Sequence, residues 1–277
     1  MTDYNINEIA KTRKSVRTYI EKPLTQQDRK KLNDYITGLS EQEHPFGARV
    51  RISLFDVDKE ISSKDLGTYG VIKGVKSYLG VAVTKQKGAE EAVGYVFEKL
   101  VLYAASLGLG TCWLGGTFNR GEFARAMEIT ENELFPIASP VGYIAPKNHA
   151  VDKIMRKAIK ADFRKAFEEI FFENDFGTPL SEERAGEYAD ILEAVRLAPS
   201  AKNAQPWRIL KSGDSFHFFE KKSIPSSGYD IQRLDIGIAG CHFELAAREK
   251  GIGGKLAYVD TPPEEKGLIY VFSWVTE

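Results

Sequence analysis

Three polar residues near the start of the chain alternate in a way that could bind an anion. In the segment RKSVR, Arg13, Ser15 and Arg17 occupy every second position. In an extended strand such residues leave the same face of the backbone. Two guanidinium groups and a hydroxyl suit a phosphate and an electron-rich ring edge, because they offer charge-assisted hydrogen bonds. A solvated basic arm is the simpler alternative, and composition alone favours it.

A second polar segment, APSAKNAQPW at 198–207, lies in the last third of the chain. Pro199 stiffens a turn, and Ser200 and Asn203 are short polar residues able to hydrogen-bond a ligand. Trp207 could bury the far side of such a ligand. The alternative is an ordinary loop between a helix and a strand.

The segment GLGTCWLGGTF at 108–118 contains a G-x-G sequence. This G-x-G follows a predicted helix rather than a strand, which is the wrong context for a dinucleotide-binding turn. We interpret its glycines as positions where backbone N–H groups approach a flat ligand.

Other catalytic patterns are not present in the sequence. The four histidines form no H-x-x-x-H pattern and the two cysteines form no Cys-x-x-Cys pair, so we expect no metal site. Cys241 and His242 lie on an apolar helical face, where core packing is the better interpretation. No nucleophile elbow or P-loop is present, and the acidic residues are dispersed over helix faces. The sequence therefore identifies no general acid or base.

The composition favours a globular protein with a reducing environment. The 277 residues are 43% apolar, enough to fill one large or two small cores, and a net charge of −1 gives no drive toward nucleic acid or an anionic membrane. The N-terminal residues lack the apolar core of a signal peptide, and only two cysteines are present. We therefore expect a cytoplasmic protein. The uncharged run 100–118 is divided by glycines, so we expect it to be buried rather than membrane-spanning.

The chain has two halves with matching sequence patterns. YVFEKLVLYAASLGLG (95–110) aligns without a gap on IAGCHFELAAREKGIG (238–253), and each predicts a core helix ended by glycine. PLTQQD (23–28) matches PLSEER (179–184), where Thr or Ser could cap a helix and Asp28 adds a capping box. Loop-and-strand patterns follow at 44–55 and 205–213, and ASPVGYIA and GLIYVFSWV are matching β-rich segments. The order of these matches predicts a tandem duplication, with halves at 1–172 and 173–277.

The two predicted halves carry complementary polar segments. RKSVR and the basic KIMRKAIKADFRKAF occur only in residues 1–172, whereas APSAKNAQPW occurs only in residues 173–277.

Four segments together resemble the signature sequences of the FMN-dependent nitroreductase family. They are RKSVRTY, APSAKNAQPW, AASLGLGTCWLGGTF and VGYIAPK, and the tandem form resembles the branch called "putative TM nitroreductase". The resemblance covers essentially the whole chain. It implies an α+β fold in which two similar α/β halves, each a mainly antiparallel sheet packed with helices, form an intramolecular pseudo-dimer.

The resemblance also implies how many flavins bind. Family members are usually homodimers in which one subunit supplies an R-x-S-x-[RK] arm and the other a P-S-x-x-N loop to each flavin. In a fused chain the loop at 198–209 would complete the site whose arm is at 13–17. FFENDF and LSEQEH supply neither a second arm nor a second loop, so one FMN per chain is expected.

Residue roles follow from the same resemblance. Arg13 and Ser15 would hold the FMN phosphate and ribityl end, and Arg17 the N1/O2 edge of the ring, where a cation stabilises the anionic reduced flavin. Pro199, Ser200 and Asn203 would contact the ring and ribityl from the second half.

Further contacts are expected from a glycine segment and from basic residues. The segment Leu114, Gly115 and Gly116 would present the Gly115 N–H to flavin N5, where many relatives have Glu at the Gly115 position. Lys73 would approach the ring. Relatives also place a basic residue of an R-x-P-like segment on the phosphate; FRKAF lacks the proline, so Arg164 is the prediction and Arg156 the alternative.

The resemblance implies ping-pong hydride transfer by an FMN-dependent NAD(P)H oxidoreductase. NADH or NADPH would reduce the flavin, leave, and be replaced by a small electron-poor acceptor such as a nitroaromatic compound or a quinone. Two alternatives stay open: a flavin-binding carrier or sensor without turnover, and another reaction of the superfamily such as dehalogenation, ene reduction or flavin destruction. Because the two halves would cover each other's apolar surface, a monomer is expected.

Overall fold

The computed structural model describes residues 4–57, 71–116, 118–147, 149–226 and 228–276. The chain divides into two compact units. We call Arg13–Ala89 together with Val96–Ala161 the arm unit, because it contains the RKSVR segment. We call Met1–Thr12, Glu90–Tyr95 and Asp162–Glu277 the loop unit, because it contains APSAKNAQPW.

The helices and strands alternate along the chain. The helices are α1 (Ile6–Thr12), α2 (Gln26–Glu41), α3 (Ala89–Ser106), α4 (Arg120–Ala126), α5 (Ala150–Ala158), α6 (Phe167–Ile170), α7 (Glu182–Ala185), α8 (Ala189–Leu197) and α9 (Ile231–Glu249). The strands are β1 (Val50–Asp56), β2 (Ser77–Thr84), β3 (Leu109–Thr111), β4 (Glu133–Tyr143), β5 (Phe171–Glu173), β6 (Asp175–Pro179), β7 (Trp207–Ser212), β8 (Ser215–Glu220), β9 (Lys255–Ala257) and β10 (Ile269–Val275).

The arm unit contains an antiparallel sheet with the strand order β1-β2-β4-β3. Strand β2 is buried over nearly its whole length, as its apolar sequence SYLGVAVT requires for a central strand. Aromatic rings pack beside the sheet, with Phe123 at 5.5 Å from both Tyr78 and Phe118, measured between ring centroids. Their edge-to-face arrangement is the favoured one for aromatic pairs.

The loop unit contains a sheet with the strand order β6-β5-β7-β8-β10-β9. Strands β5 and β7 are parallel, and the other neighbours are antiparallel. Helix α9 is buried on almost every side, which its sequence explains because apolar and small residues surround its whole circumference. The prediction of an α+β fold with mainly antiparallel sheets is therefore confirmed.

The predicted helix caps are present in both units. The Thr25 hydroxyl accepts the Asp28 N–H at the start of α2, and Ser181 accepts the Arg184 N–H at the start of α7. The capping box of α2 differs in one detail. In a capping box the Asp28 carboxylate would accept the Thr25 N–H directly. Here the Tyr143 hydroxyl accepts the Thr25 N–H and donates to the Asp28 carboxylate, so it bridges the two groups.

Glycine ends both of the matching core helices. Gly108 follows α3 with φ of +75° and Gly251 follows α9 with φ of +73°, the left-handed conformation that favours glycine. Cys241 and His242 are buried in α9, and His242 Nδ1 lies 2.9 Å from the Ala194 carbonyl oxygen. Both residues therefore belong to the core, as their position in the helical pattern indicates.

The two compact units have different bounds from the predicted halves 1–172 and 173–277. Helix α1, the first turns of α3 and residues 162–172 all lie in the loop unit. Helix α1 contacts α8 and α9, and the Ile6 N–H donates to the Glu249 carboxylate at 3.2 Å. The tandem duplication itself stays a prediction. Within the described residues, no helix has the length and apolar character needed to cross a bilayer.

Two glycines allow a close helix crossing inside the loop unit. A Cβ atom at Gly94 of α3 would lie 2.0 Å from the Leu234 carbonyl oxygen of α9. A Cβ atom at Gly237 of α9 would lie 2.2 Å from the Glu91 carbonyl oxygen of α3. The two helix backbones therefore touch where side chains would otherwise separate them.

Replacement of Gly94 by alanine should destabilise the protein by roughly 1–3 kcal/mol, because the added methyl group overpacks this crossing. Gly38 is the matched control: it lies inside α2, and a Cβ atom there has nothing within 4 Å. Gly38→Ala should stabilise by about 0.5–1 kcal/mol, since alanine loses less backbone entropy than glycine. Urea unfolding followed by circular dichroism measures both effects, and equal effects would contradict the close crossing.

Candidate functional site

The RKSVR arm is an extended segment attached to the arm unit by backbone hydrogen bonds. The Val16 N–H donates to the Thr111 carbonyl at 2.8 Å, so the arm lies beside β3. On the other side, Lys73 donates to the Arg17 carbonyl and accepts from the Tyr19 N–H, both at 2.9 Å. The backbone of Lys73 thus lies next to the arm, and its side chain is exposed.

The three alternating residues of the arm act on one buried thiol. Burial raises the pKa of Cys112, whereas the charge of Arg17, a hydrogen bond with Ser15 and the charge of Arg13 lower it. Cys112 is 2% exposed. An extended arm sends alternate side chains to one face, which accounts for their common effect on this thiol.

Arg13 carries donors that the described part of the chain leaves unused. Its Nε and Nη1 atoms are almost completely buried and have no hydrogen-bond partner among the described residues. Burial lowers the pKa of Arg13, and the negative charges of Glu98 and Cys112 oppose this effect. The buried Glu98 carboxylate instead accepts from Trp113 Nε1 at 3.0 Å. Buried donors without acceptors are costly, which makes this position suited to an anionic ligand.

Arg17 is engaged in a buried ion pair that the sequence did not indicate. Its Nη1 atom donates to Asp152 Oδ1 at 2.9 Å, and the two residues are 7% and 2% exposed. Asp152 lies in the first turn of α5, where a carboxylate is favoured by the helix dipole. A guanidinium group has five N–H donors, so this single bond leaves others for a ligand.

The glycine segment 108–116 has more than one role. A Cβ atom at Gly110 would lie 2.8 Å from the Val16 side chain, so this glycine makes room for the arm rather than for a ligand. The Leu114 carbonyl accepts the Ala138 N–H at 3.2 Å, which fixes the peptide that carries the Gly115 N–H. The Gly115 carbonyl accepts from Arg120, which fixes the next peptide. The backbone of Leu114–Gly116 is thereby held in place.

The 198–207 loop is ordered by polar contacts inside the loop unit. Ser200 Oγ accepts the Gln205 N–H at 2.9 Å, and Asn203 Nδ2 donates to the Phe163 carbonyl at 2.9 Å. Arg164 Nη1 donates to Asn203 Oδ1 at 3.3 Å. The structure therefore brings together two residues that the sequence placed in different halves. Trp207 is fully buried in β7, so it packs in the core and does not form the cover for a ligand that we expected.

Three non-glycine residues of this loop adopt left-handed backbone conformations. Lys202, Asn203 and Gln205 have φ values of 52°, 56° and 48°. Such conformations persist where surrounding contacts impose them, and they concentrate at functional sites. Two buried side chains supply these contacts. Gln205 Oε1 accepts the Lys165 N–H at 2.9 Å, and the carboxylate of Asp235 accepts the Ala201 N–H at 3.0 Å.

The predicted site residues therefore fall into two groups, one in each unit. The arm unit contains Arg13, Ser15, Arg17, Lys73, Leu114, Gly115 and Gly116, and the loop unit contains Arg164, Pro199, Ser200 and Asn203. The alternative basic residue Arg156 lies in α5 of the arm unit. Within the described ranges, no group of three or more His, Cys, Asp or Glu residues could hold a metal ion.

Comparison with known proteins shows the family and the fold. A family model described as "Putative TM nitroreductase" matches residues 5–247. A crystal structure described as a putative nitroreductase of Thermotoga maritima is 19% identical with a TM-score of 0.61, covering 100% of this chain and 95% of that chain. This similarity confirms the predicted nitroreductase fold. A search of curated protein sequences gives no match.

Two further structures are similar over about half of the chain, with lower TM-scores. A nitroreductase family protein of Clostridium difficile is 17% identical with a TM-score of 0.42, covering 56% of this chain and 92% of that chain. A nitroreductase with bound FMN from Bacteroides fragilis is 18% identical with a TM-score of 0.43, covering 53% and 91%.

The pH dependence of stability should reveal the buried carboxyl group of Asp235. Burial raises its pKa well above the usual value, and the hydrogen bond from Ala201 opposes this effect. The folded state then binds more protons than the unfolded state at pH values above about 4, the unfolded pKa. The contribution to the free energy of unfolding therefore falls as the pH rises from about 4 through the raised pKa.

The substitution Asp235→Asn should remove this decrease, since the amide accepts the Ala201 N–H but does not ionise. Urea unfolding between about pH 4 and neutral pH measures the slope. Asp230→Asn is the control: burial raises the Asp230 pKa, but hydrogen bonds from Lys222, Ser226 and Gln232 outweigh burial and lower it overall. The contribution of Asp230 to stability therefore changes below about pH 4, the unfolded pKa, and this substitution should leave the slope above that pH nearly unchanged. An unchanged slope in Asp235→Asn would show that Asp235 is ionised in the folded protein.

Proposed function

The chain belongs to the nitroreductase family described as "Putative TM nitroreductase", and on this basis we propose that it is an FMN-dependent NAD(P)H oxidoreductase. It would take hydride from NADH or NADPH and reduce a small electron-poor acceptor, such as a nitroaromatic compound or a quinone, in a ping-pong cycle. The observation that carries the proposal is the pair of buried Arg13 donors that have no acceptor among the described residues. The FMN phosphate is an acceptor of matching charge and chemistry.

The arm supplies the groups that would bind the phosphate and the ring edge. Arg13 offers Nε and Nη1, and Ser15 offers a hydroxyl from the same face. An anion here would satisfy the Arg13 donors and offset the cost of burying its charge. Arg17 would present its remaining N–H donors to the electron-rich N1/O2 edge.

The loop supplies polar groups that are already ordered. Hydrogen bonds of Gln205 to Ser200, of Asn203 to Phe163 and of Ala201 to Asp235 hold the loop in its left-handed conformation. Binding would therefore cost little additional conformational entropy. Following the family resemblance, we propose that Pro199, Ser200 and Asn203 contact the flavin ring and ribityl chain, and that Arg164, which contacts Asn203, meets the phosphate.

The fixed backbone at 114–116 would face the reacting part of the cofactor. FMN, when bound, supplies two-electron hydride chemistry at its N5 atom. The peptide carrying the Gly115 N–H is held by the Leu114–Ala138 contact, so this donor needs no reorganisation to meet a ligand. Proton transfer by a protein side chain is not required for hydride transfer itself. The lack of a recognisable general acid or base in the sequence is therefore compatible with an oxidoreductase.

Purified protein should bind one FMN per 31 kDa monomer, because only one arm and one matching loop are present. Flavin released by denaturation, quantified against protein, gives the stoichiometry, and light scattering on the same sample gives the mass. Two flavins per chain would contradict the single site. Absence of binding even with added FMN would contradict the proposed function as a whole.

The substitution Arg13→Ala should weaken FMN binding by roughly 10- to 150-fold, which corresponds to the loss of a charge-assisted hydrogen bond of about 1.5–3 kcal/mol. Lys14→Ala is the matched control, because Lys14 carries the same charge at the next position but is exposed. Asn203→Ala should also weaken binding, whereas its exposed neighbour Lys202 should tolerate Lys202→Ala. Fluorescence titration with FMN measures all four variants. An effect of Arg13 without any effect of Asn203 would exclude a shared site.

Turnover distinguishes an enzyme from a flavin carrier. Under anaerobic conditions NADH or NADPH should bleach the visible absorbance of the bound flavin, and addition of a quinone or nitroaromatic compound should restore it. Initial rates should be measured as a function of nucleotide concentration at several fixed acceptor concentrations. Double-reciprocal plots of these rates should be parallel, as a ping-pong mechanism requires. Failure of both nucleotides to bleach a fully loaded protein would favour a carrier or sensor.

A further inference from the structure

The buried pair of Arg17 and Asp152 has a chemical consequence for a bound flavin. The 2.9 Å contact joins a guanidinium and a carboxylate that are both almost completely buried. Water screens such a pair weakly, so each charge strongly reduces the field of the other. To a neighbouring ligand, Arg17 therefore presents much less than a full positive charge.

Asp152 is not needed to place the backbone of Arg17. Hydrogen bonds of the arm to Thr111 and Lys73 already fix the main chain on both sides of Arg17. The start of α5 is also attached to the residue that follows the arm, because the Thr18 hydroxyl accepts the His149 N–H at 3.0 Å. The carboxylate thus acts on the side chain, by fixing its orientation and by balancing its charge.

The charge of Arg17 matters because flavin reduction changes the charge of the ligand. Two-electron reduction with uptake of one proton leaves a negative charge at the N1–O2 edge, the edge that Arg17 is proposed to contact. An unbalanced guanidinium would stabilise that charge and raise the reduction potential. A carboxylate that balances the guanidinium lowers the potential again, which makes the reduced cofactor a stronger donor to its acceptor.

We propose that Asp152 is a positioning residue that holds the Arg17 guanidinium and keeps the reduction potential of the bound FMN low. The inference rests on the proposed FMN site. It concerns the relative affinity of that site for reduced and oxidised FMN, and not whether FMN binds. Asp152 itself would not touch the flavin.

The test is the two-electron midpoint potential of FMN-loaded protein, measured by equilibration with a reference dye during anaerobic dithionite reduction. Asp152→Asn removes the charge and keeps the shape of the side chain. It should increase the affinity for reduced relative to oxidised FMN by about tenfold, a rise of about 30 mV for a two-electron couple. Asp152→Glu retains the charge and should stay near the wild-type potential.

The double variant Arg17→Gln/Asp152→Asn is the decisive comparison. It replaces the ion pair by two neutral side chains, so no unpaired buried charge threatens its folding. Its potential should lie well below that of Asp152→Asn, because the rise in the single variant comes from the unbalanced Arg17 charge. Equal potentials in Asp152→Asn and the double variant would show that the Arg17 charge does not cause the rise, and the proposal would be wrong. An Asp152→Asn potential equal to wild type would also overturn it.

These outcomes are separate from failure of the proposed function. If wild-type protein binds no FMN, the site assignment fails before any potential can be measured. If FMN binds and only the potentials disagree, the flavin site stands and the role of Asp152 is rejected. The dissociation constant for oxidised FMN, measured for each variant, reports general damage to the site, which the ratio of the two affinities does not.

Discussion

The backbone hydrogen bonds on both sides of the RKSVR arm are the constraint on which the candidate site depends. Val16 pairs with Thr111 on one side, and Lys73 pairs with Arg17 and Tyr19 on the other. An extended backbone sends alternate side chains to one face, so the polar face exists only while these bonds hold. The side chains of the arm therefore provide the polar groups. The hydrogen bonds of its main chain keep the arm extended, and this places the three side chains on one face.

Local signals in the sequence were sufficient for most of the fold. The caps at Thr25 and Ser181 and the glycines after α3 and α9 act within a single helical turn, and the structure confirms them. The bounds of the compact units were not accessible in this way. They depend on contacts such as Ile6 with Glu249, which lie far apart in the chain and leave no pattern in either segment.

The sequence singles out candidate site residues where they are polar and lie in distinctive loops. Arg13, Ser15 and Asn203 were chosen for this reason, and their part in a site stays a prediction. Asp152 lies in an ordinary charged helix, and only the folded chain shows that its carboxylate is buried against Arg17. Asp235 was hidden for the opposite reason, because it lies within a helix whose many apolar and small residues indicate core packing. Gly110 shows the same limit, since its role depends on the position of Val16.

The place of helix α1 in the loop unit constrains the order of folding. Its contact with Glu249 closes a loop with a sequence separation of 243 residues, whereas the arm unit uses residues 13–89 and 96–161, all made earlier than α8 and α9. During synthesis, Ile6 and Ala10 of α1 must remain without their packing partners until those two helices have left the ribosome. Such distant contacts form slowly. The docking of α1 therefore has to follow the synthesis of α9, although α1 is the first of the described helices.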